Sequence, residues 1–157
     1  MTDKIPVPTA PKKSPNPVAQ KRGKASKVKG QVFERLITNR FKEVFPGARR
    51  GIGQARSAKE VSDVDGTPFW IEAKHRKIVN VQKAFEQACK DTDGRPAIVV
   101  WRKQQGTILV STSVQTFLDW FINSTLHLSK VPAVLIHVEL SEFLTLLADC
   151  PNGIETS

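Results

Sequence analysis

Phe69-Trp70-Ile71-Glu72-Ala73-Lys74-His75 alternates with period two and is rich in aromatic and β-branched side chains, the pattern of a β-strand. Successive side chains of a strand point to opposite faces. Phe69, Ile71 and Ala73 therefore share one face, which is apolar and suited to a core. Trp70, Glu72 and Lys74 share the other, so a carboxylate and an ammonium stand two residues apart on it. Trp70 either packs beneath a loop or stacks on a base, and packing is the expectation.

A Glu-x-Lys pair on a strand is commonly an exposed ion pair that contributes little. Its surroundings here say more. Asp63 lies nine residues before Glu72, in a short extended segment from Val61 to Asp65. A turn at Asp65-Gly66-Thr67-Pro68 would fold Asp63 back beside Glu72. Two converging carboxylates make a hard-oxygen site, which suits Mg²⁺, and the Ala73 carbonyl is a further oxygen nearby. A bound ion would lower the pKa of its water and neutralise charge developing on a phosphate. Lys74 would sit near that water, where it could orient the nucleophile or stabilise the transition state.

Outward from this strand, periodicity predicts an α/β protein. Val32, Phe33, Leu36, Ile37, Phe41, Val44 and Phe45 recur at spacings of three and four, which predicts a helix over 30–45 closed by Pro46-Gly47. The stretch from Ala48 to Ser57 is rich in Gly and Arg and reads as a short strand with a loop. Residues 79–92 form a second amphipathic helix, closed by Asp93-Gly94. Ala97-Ile98-Val99-Val100-Trp101 is a continuous apolar run, typical of a strand buried on both faces. Thr107 to Val110 reads as a strand, Ser113 to Asn123 as a helix, Pro132 to Val138 as a strand, and Ser141 to Ala148 as a final helix with Ser141 as N-cap. This order predicts an α/β sandwich with a mixed sheet, without the regular alternation of a doubly wound fold. Residues 30–124 are read as one domain, 125–157 as a C-terminal extension packed on it, and 1–29 as a disordered basic tail, because five of its residues are proline and it has almost nothing to bury.

Charge points to the partner. The 157-residue chain has a net charge of +9 and a pI near 9.8. Residues 1–29 hold eight Lys and Arg against Asp3 alone, and residues 104–157 hold Lys130 against five acids. A basic excess concentrated in the N-terminal and central parts favours a polyanion, usually nucleic acid. No run of 18 apolar residues occurs, so no membrane span is expected. The N-terminus lacks the apolar core of a secretory signal, which predicts a soluble intracellular protein. Cys89 and Cys150 are read as isolated thiols rather than a disulfide or a zinc site.

At this point the sequence resembles a known family. Lys29-Gly30-Gln31-Val32-Phe33-Glu34-Arg35-Leu36 is similar to the first helix of archaeal-type Holliday junction resolvases, members of the PD-(D/E)xK nuclease superfamily. Ser62-Asp63-Val64 stands at the Pro-Asp-hydrophobic motif, with Ser62 in place of the proline, and Glu72-Ala73-Lys74 stands at the (D/E)-x-K motif. The helix over 79–92, with Gln87, and the strand Arg95-Pro96-Ala97-Ile98-Val99-Val100-Trp101 resemble the elements that follow. The likeness covers residues 29 to 103 and extends to small stand-alone nucleases encoded by phages.

The resemblance implies a restriction-endonuclease-like αβββαβ core and Mg²⁺-dependent hydrolysis of DNA phosphodiesters, with Mn²⁺ able to substitute. It implies Asp63, Glu72 and the Ala73 carbonyl as metal ligands, Lys74 at the nucleophile, and Glu34 on the metal directly or through water. Asp65 competes with Asp63, but Val64 after Asp63 fits the motif and Asp65-Gly66 reads as turn. Arg35 and one of Arg49 or Arg50 would contact phosphate, with Arg56 and Lys59 in the loop and His75, Arg76 and Gln87 near the site as further DNA contacts. The substrate would be branched DNA, above all four-way junctions, and a symmetric double cut calls for a homodimer. The alternatives are a sequence-specific or nicking nuclease of the same superfamily and a DNA-binding protein that keeps the fold without catalysis.

Overall fold

A computed structural model of the chain describes residues 17–51, 61–103, 106–122 and 134–150. Eleven elements follow in order: α1 (Pro17–Phe41), β1 (Arg49–Arg50), β2 (Val64–Asp65), β3 (Trp70–His75), α2 (Val81–Asp91), β4 (Ala97–Arg102), β5 (Leu109–Ser113), α3 (Val114–Phe117), a π-helical turn (Leu118–Ile122), β6 (Leu135–Glu139) and α4 (Leu140–Asp149). The six strands form one mixed sheet in sequence order. Only β3 and β4 run parallel, joined by α2, and every other neighbouring pair is antiparallel. The α/β class with a mixed sheet is as the periodicity predicts. No helix among the described residues is long and apolar enough to cross a membrane.

The strand pleat divides the core. Phe69, Ile71, Ile98, Val100 and Val110 pack with Phe33, Ile37 and Phe41 of α1 and with Leu140, Phe143, Leu144 and Leu147 of α4. On the opposite face Trp70, Ala97 and Val99 pack with Ala84, Phe85 and Ala88 of α2. Trp70 is 3 % exposed, so it packs, as expected. Ala97 to Val100 are buried throughout, which explains their unbroken apolar run. Asn80 caps α2 by accepting the Lys83 N–H at 2.9 Å.

Four expectations need correction. The disordered tail does not extend to residue 29, because α1 begins at Pro17, while residues 1–16 lie outside the described residues. Pro17 occupies the first helical turn, where its missing N–H costs nothing. Helix formers among residues 17–29 then extend the helix from the anchored segment, since propagation is far easier than nucleation. Residues 23–29 are exposed. The helix also stops at Phe41, and turns bonded Val44 N–H to Phe41 O and Phe45 N–H to Phe41 O deliver Phe45 to the core. Ser141 does not cap the last helix, whose N-cap position is Glu139 with no side-chain cap bond. Ser113, read as the first residue of a helix to Asn123, instead caps a short α-turn that widens into the π-helical turn, and its Oγ accepts the Thr116 N–H. The C-terminal residues 134–149 supply an edge strand and a core helix of the same sheet system. Cys89 is an exposed thiol and Cys150 a half-buried one, each free.

Candidate active site

The site forms where β2 and β3 part. Val64 pairs with Ile71, and the Asp63 N–H donates to the Ile71 carbonyl at 2.8 Å. Beyond this point no strand among the described residues pairs with β3 on that side. The Asp63 side chain takes the place of a ladder partner: Oδ2 accepts the Ala73 N–H at 2.8 Å. N–H and C=O of one residue in a strand emerge on the same side, so the Ala73 carbonyl opens toward the same edge.

Two close backbone approaches hold this edge. Gly66 sits at φ +73° in the turn between β2 and β3, and a Cβ there would lie 2.1 Å from the Gly47 carbonyl oxygen. Gly51 donates its N–H to the Asp63 carbonyl at 3.0 Å, and a Cβ on it would lie 1.9 Å from the Ser62 carbonyl oxygen. Only glycine fits either position. Ser62 adds a clamp that sequence reasoning missed. Its buried Oγ accepts the Ile71 N–H at 2.9 Å and donates to the Val64 carbonyl at 2.7 Å. This hydroxyl thus ties the segment carrying Asp63 to β3, and nothing in the local sequence signals it.

Asp63 and Asp65 resolve into two roles. Asp65 binds the Arg49 guanidinium at 2.7 Å and Arg95 at 3.4 Å. Arg95 also donates to the Thr67 carbonyl at 3.1 Å and lies over the Trp70 ring, clamping the turn. Burial alone would push the Asp65 carboxyl up, but the Gly66 N–H, Arg49 and Arg95 together outweigh it and hold it below the ordinary value. Asp63 lies in the opposite environment. Burial first, then the charge of Glu72, push its carboxyl up to about 7; the Ala73 N–H pulls it down, Glu34 pushes again, and Lys74 offsets part of the rise. Glu34, Glu72 and Lys74, the other members of the predicted set, thus all bear on the half-buried Asp63 carboxylate. Asp63, not Asp65, faces Glu72.

The cations here are engaged internally. Lys74 Nζ pairs with Glu72 Oε1 on the shared strand face. Arg50 Nε donates to Glu34 Oε2 at 2.7 Å, which couples β1 to α1. That pairing was not legible from sequence, where Arg50 reads as a phosphate contact. Among the described residues no three His, Cys, Asp or Glu side chains stand ready to hold an ion together. The donor set is nonetheless all oxygen, from carboxylates and one main-chain carbonyl, as a hard divalent cation requires.

The remaining candidates scatter. Arg35 is exposed on α1, and Arg49 serves Asp65. His75 packs on Phe33, with ring centroids 5.1 Å apart, on the core face and away from Lys74. Arg76 and Gln87 line one groove of about 290 Å³ together with Lys74, Ile78 and Lys83. Gln87 also donates to Asp91 at 2.8 Å. Arg56 and Lys59 lie outside the described residues. Compared with models of protein families, with curated proteins and with solved structures, the chain matches none.

Proposed function

We propose that the chain is a divalent-metal-dependent endodeoxyribonuclease that hydrolyses phosphodiester bonds in branched DNA. One observation carries this reading: a half-buried aspartate with its carboxyl raised to about 7, facing Glu72 and Glu34, with Lys74 alongside. Such a cluster repels phosphate, so a plain DNA-binding protein gains nothing from it. A divalent cation converts the repulsion into ligation and leaves net positive potential toward the phosphate. The α1-β1-β2-β3-α2-β4 order supports the same reading, since it is the αβββαβ order that the resemblance implies.

Asp63, Glu72 and the Ala73 carbonyl would hold Mg²⁺, with Mn²⁺ an effective substitute, and Glu34 would join directly or through water. When bound, the ion supplies Lewis acidity at the phosphate and a more acidic water. The chain's own groups do the rest. Lys74 orients the attacking water or meets charge building on the phosphate oxygens. Arg50 fixes the direction of Glu34. The groove bearing Arg76, Lys83 and Gln87 grips the DNA backbone beside the scissile bond, and Arg35 adds an outlying phosphate contact. Two sites related by a dimer twofold would cut a junction symmetrically.

The test is cleavage of a labelled four-way junction and of a linear duplex in Mg²⁺. Junction cleavage is expected, lost in Glu72→Ala and in Lys74→Ala while DNA binding persists. Cutting of linear duplex at one sequence, without junction preference, would move the reading to a sequence-specific nuclease. Full activity in Lys74→Ala would overturn the site.

A further inference from the structure

Beyond α2, the sheet face that carries Glu72 and Lys74 continues across two rows of register partners. One row runs Lys74, Trp101, Leu109, Glu139, and the next runs Glu72, Val99, Ser111, His137. Adjacent strands lie about 4.8 Å apart, so Trp101 is the immediate lateral neighbour of Lys74. Trp101 is half-buried at the margin of the α2 cluster, and His137 is exposed.

The indole is fixed rather than free. Its Nε1–H donates to Ser111 Oγ at 2.7 Å, and that oxygen lies 2.6 Å from His137 Nδ1. The imidazole meets the indole edge to face, with centroids 6.1 Å apart and planes at 82°. A fully buried serine, spent on holding two rings, makes little sense for core packing, where an aliphatic side chain would fill the same space. It makes good sense for a pre-oriented aromatic surface.

We infer that Trp101 is a base-stacking subsite for an unpaired nucleotide of single-stranded DNA, with the adjoining phosphates led past Lys74 into the groove of Arg76 and Lys83. This rests on the nuclease reading for its choice of ligand. Charge sets the direction of the strand. Lys74, Arg76 and Lys83 lie on the β3 and α2 side of Trp101, whereas Glu139 closes the row on the far side. Stacking on an aromatic ring tolerates any base, because every base has a π-face, and it needs the base to be unpaired. Branch points and strand ends offer such bases, and intact duplex does not.

Binding measured in EDTA separates this subsite from the chemistry. Fluorescence anisotropy would follow a thymidine oligomer of about 12 nucleotides and a duplex of similar length. Trp101→Ala is expected to weaken single-strand binding about tenfold and to leave duplex binding unchanged. Trp101→Phe should keep most of the affinity, because it retains a ring and most of the packing. The oligomer should also quench wild-type tryptophan emission, and this quenching should vanish in Trp101→Phe, whose Trp70 and Trp120 remain. Unchanged single-strand affinity in Trp101→Ala, an equal loss for duplex, quenching that survives in Trp101→Phe, or no single-strand binding at all would each overturn the inference. If the nuclease reading alone fails, Mg²⁺-dependent cleavage is absent while Trp101-dependent binding persists. If the subsite alone fails, cleavage continues and Trp101→Ala binds single strands as the wild type does.

Discussion

On one face of the sheet Ile71, Ile98, Val100 and Val110 are closed in by α1 and α4. On the other, α2 covers Trp70, Ala97 and Val99, and the rows beyond carry Glu72, Lys74, Trp101, Ser111 and His137. The same strands build both faces. The difference lies in how many apolar partners each face is given. Among the described residues α1, α4 and the π-helical turn provide the burial on one side, so the side that α2 covers can carry polar and charged groups without undoing it. A strand that carries the proposed site can therefore be half core and half polar, and substitutions on its two faces should report on different properties.

The largest effects test that division directly. Phe69→Ala removes a fully buried ring that contacts Phe45, Trp120 and Phe143. It should cost about 3–5 kcal/mol in urea unfolding. Lys74→Ala should leave the urea midpoint close to wild type, because its ion pair is partly exposed, yet lower junction cleavage by about 10²- to 10³-fold. A large stability loss in Lys74→Ala would erase the distinction between the faces.

Next in size is the joint between them. Gly66→Ala forces a side chain onto a positive φ and into the Gly47 carbonyl. It should cost about 1–3 kcal/mol and reduce cleavage further than the stability loss explains, because Asp63 is carried by the strand that this turn returns.

A pH titration sharpens the contrast at one residue. In chelator the Asp63 carboxyl takes up its proton near 7 when folded and at the ordinary 3.8 when unfolded. Between these values the folded state holds more protons, so stability should fall as pH rises from about 4 to about 7, and level off beyond. Mg²⁺ competes with that proton and should raise the melting temperature more at about pH 8 than at about pH 5. Asp63→Asn should flatten the slope and abolish the Mg²⁺ effect. A melting temperature in chelator that rises over this interval would count against the half-buried charge cluster.

The smallest effect belongs to the neighbouring acid. Asp65→Asn weakens contacts with Arg49 and Arg95 that are largely exposed or shared. It should cost about 1 kcal/mol or less in the same urea assay and leave cleavage intact. Loss of cleavage there would reverse the assignment of the two aspartates.

Much of this was readable in the sequence because it depends on local period. The alternation of Phe69 to Lys74 separated core from chemistry, and the unbroken run at Ala97 marked a strand covered on both sides. The spacing over 30–45 picked out Phe33, Ile37 and Phe41, which α1 buries, but also Val32 and Leu36, which stay exposed on it. The N-terminal part of α1 was not readable, because its residues 23–29 are exposed and leave no pattern of burial. The joining of β6 to β5 as the sheet edge was not readable either, since strand partners are chosen by surface fit across long separations.

For the site itself, sequence alone determined which residue types could act: Asp63, Glu72 and Lys74, with Glu34 brought in by resemblance. Strand alternation and the turn at Gly66 are local facts, and they suffice for that. Only the tertiary structure decided that Asp63 faces Glu72 while Asp65 is held by Arg49 and Arg95. It alone showed that Ser62 pins the strand and that Arg50 binds Glu34. The physical reason is that a carboxylate's state is set by burial and by charges within a few ångströms. Those neighbours come from elements sixteen or thirty residues away in the chain.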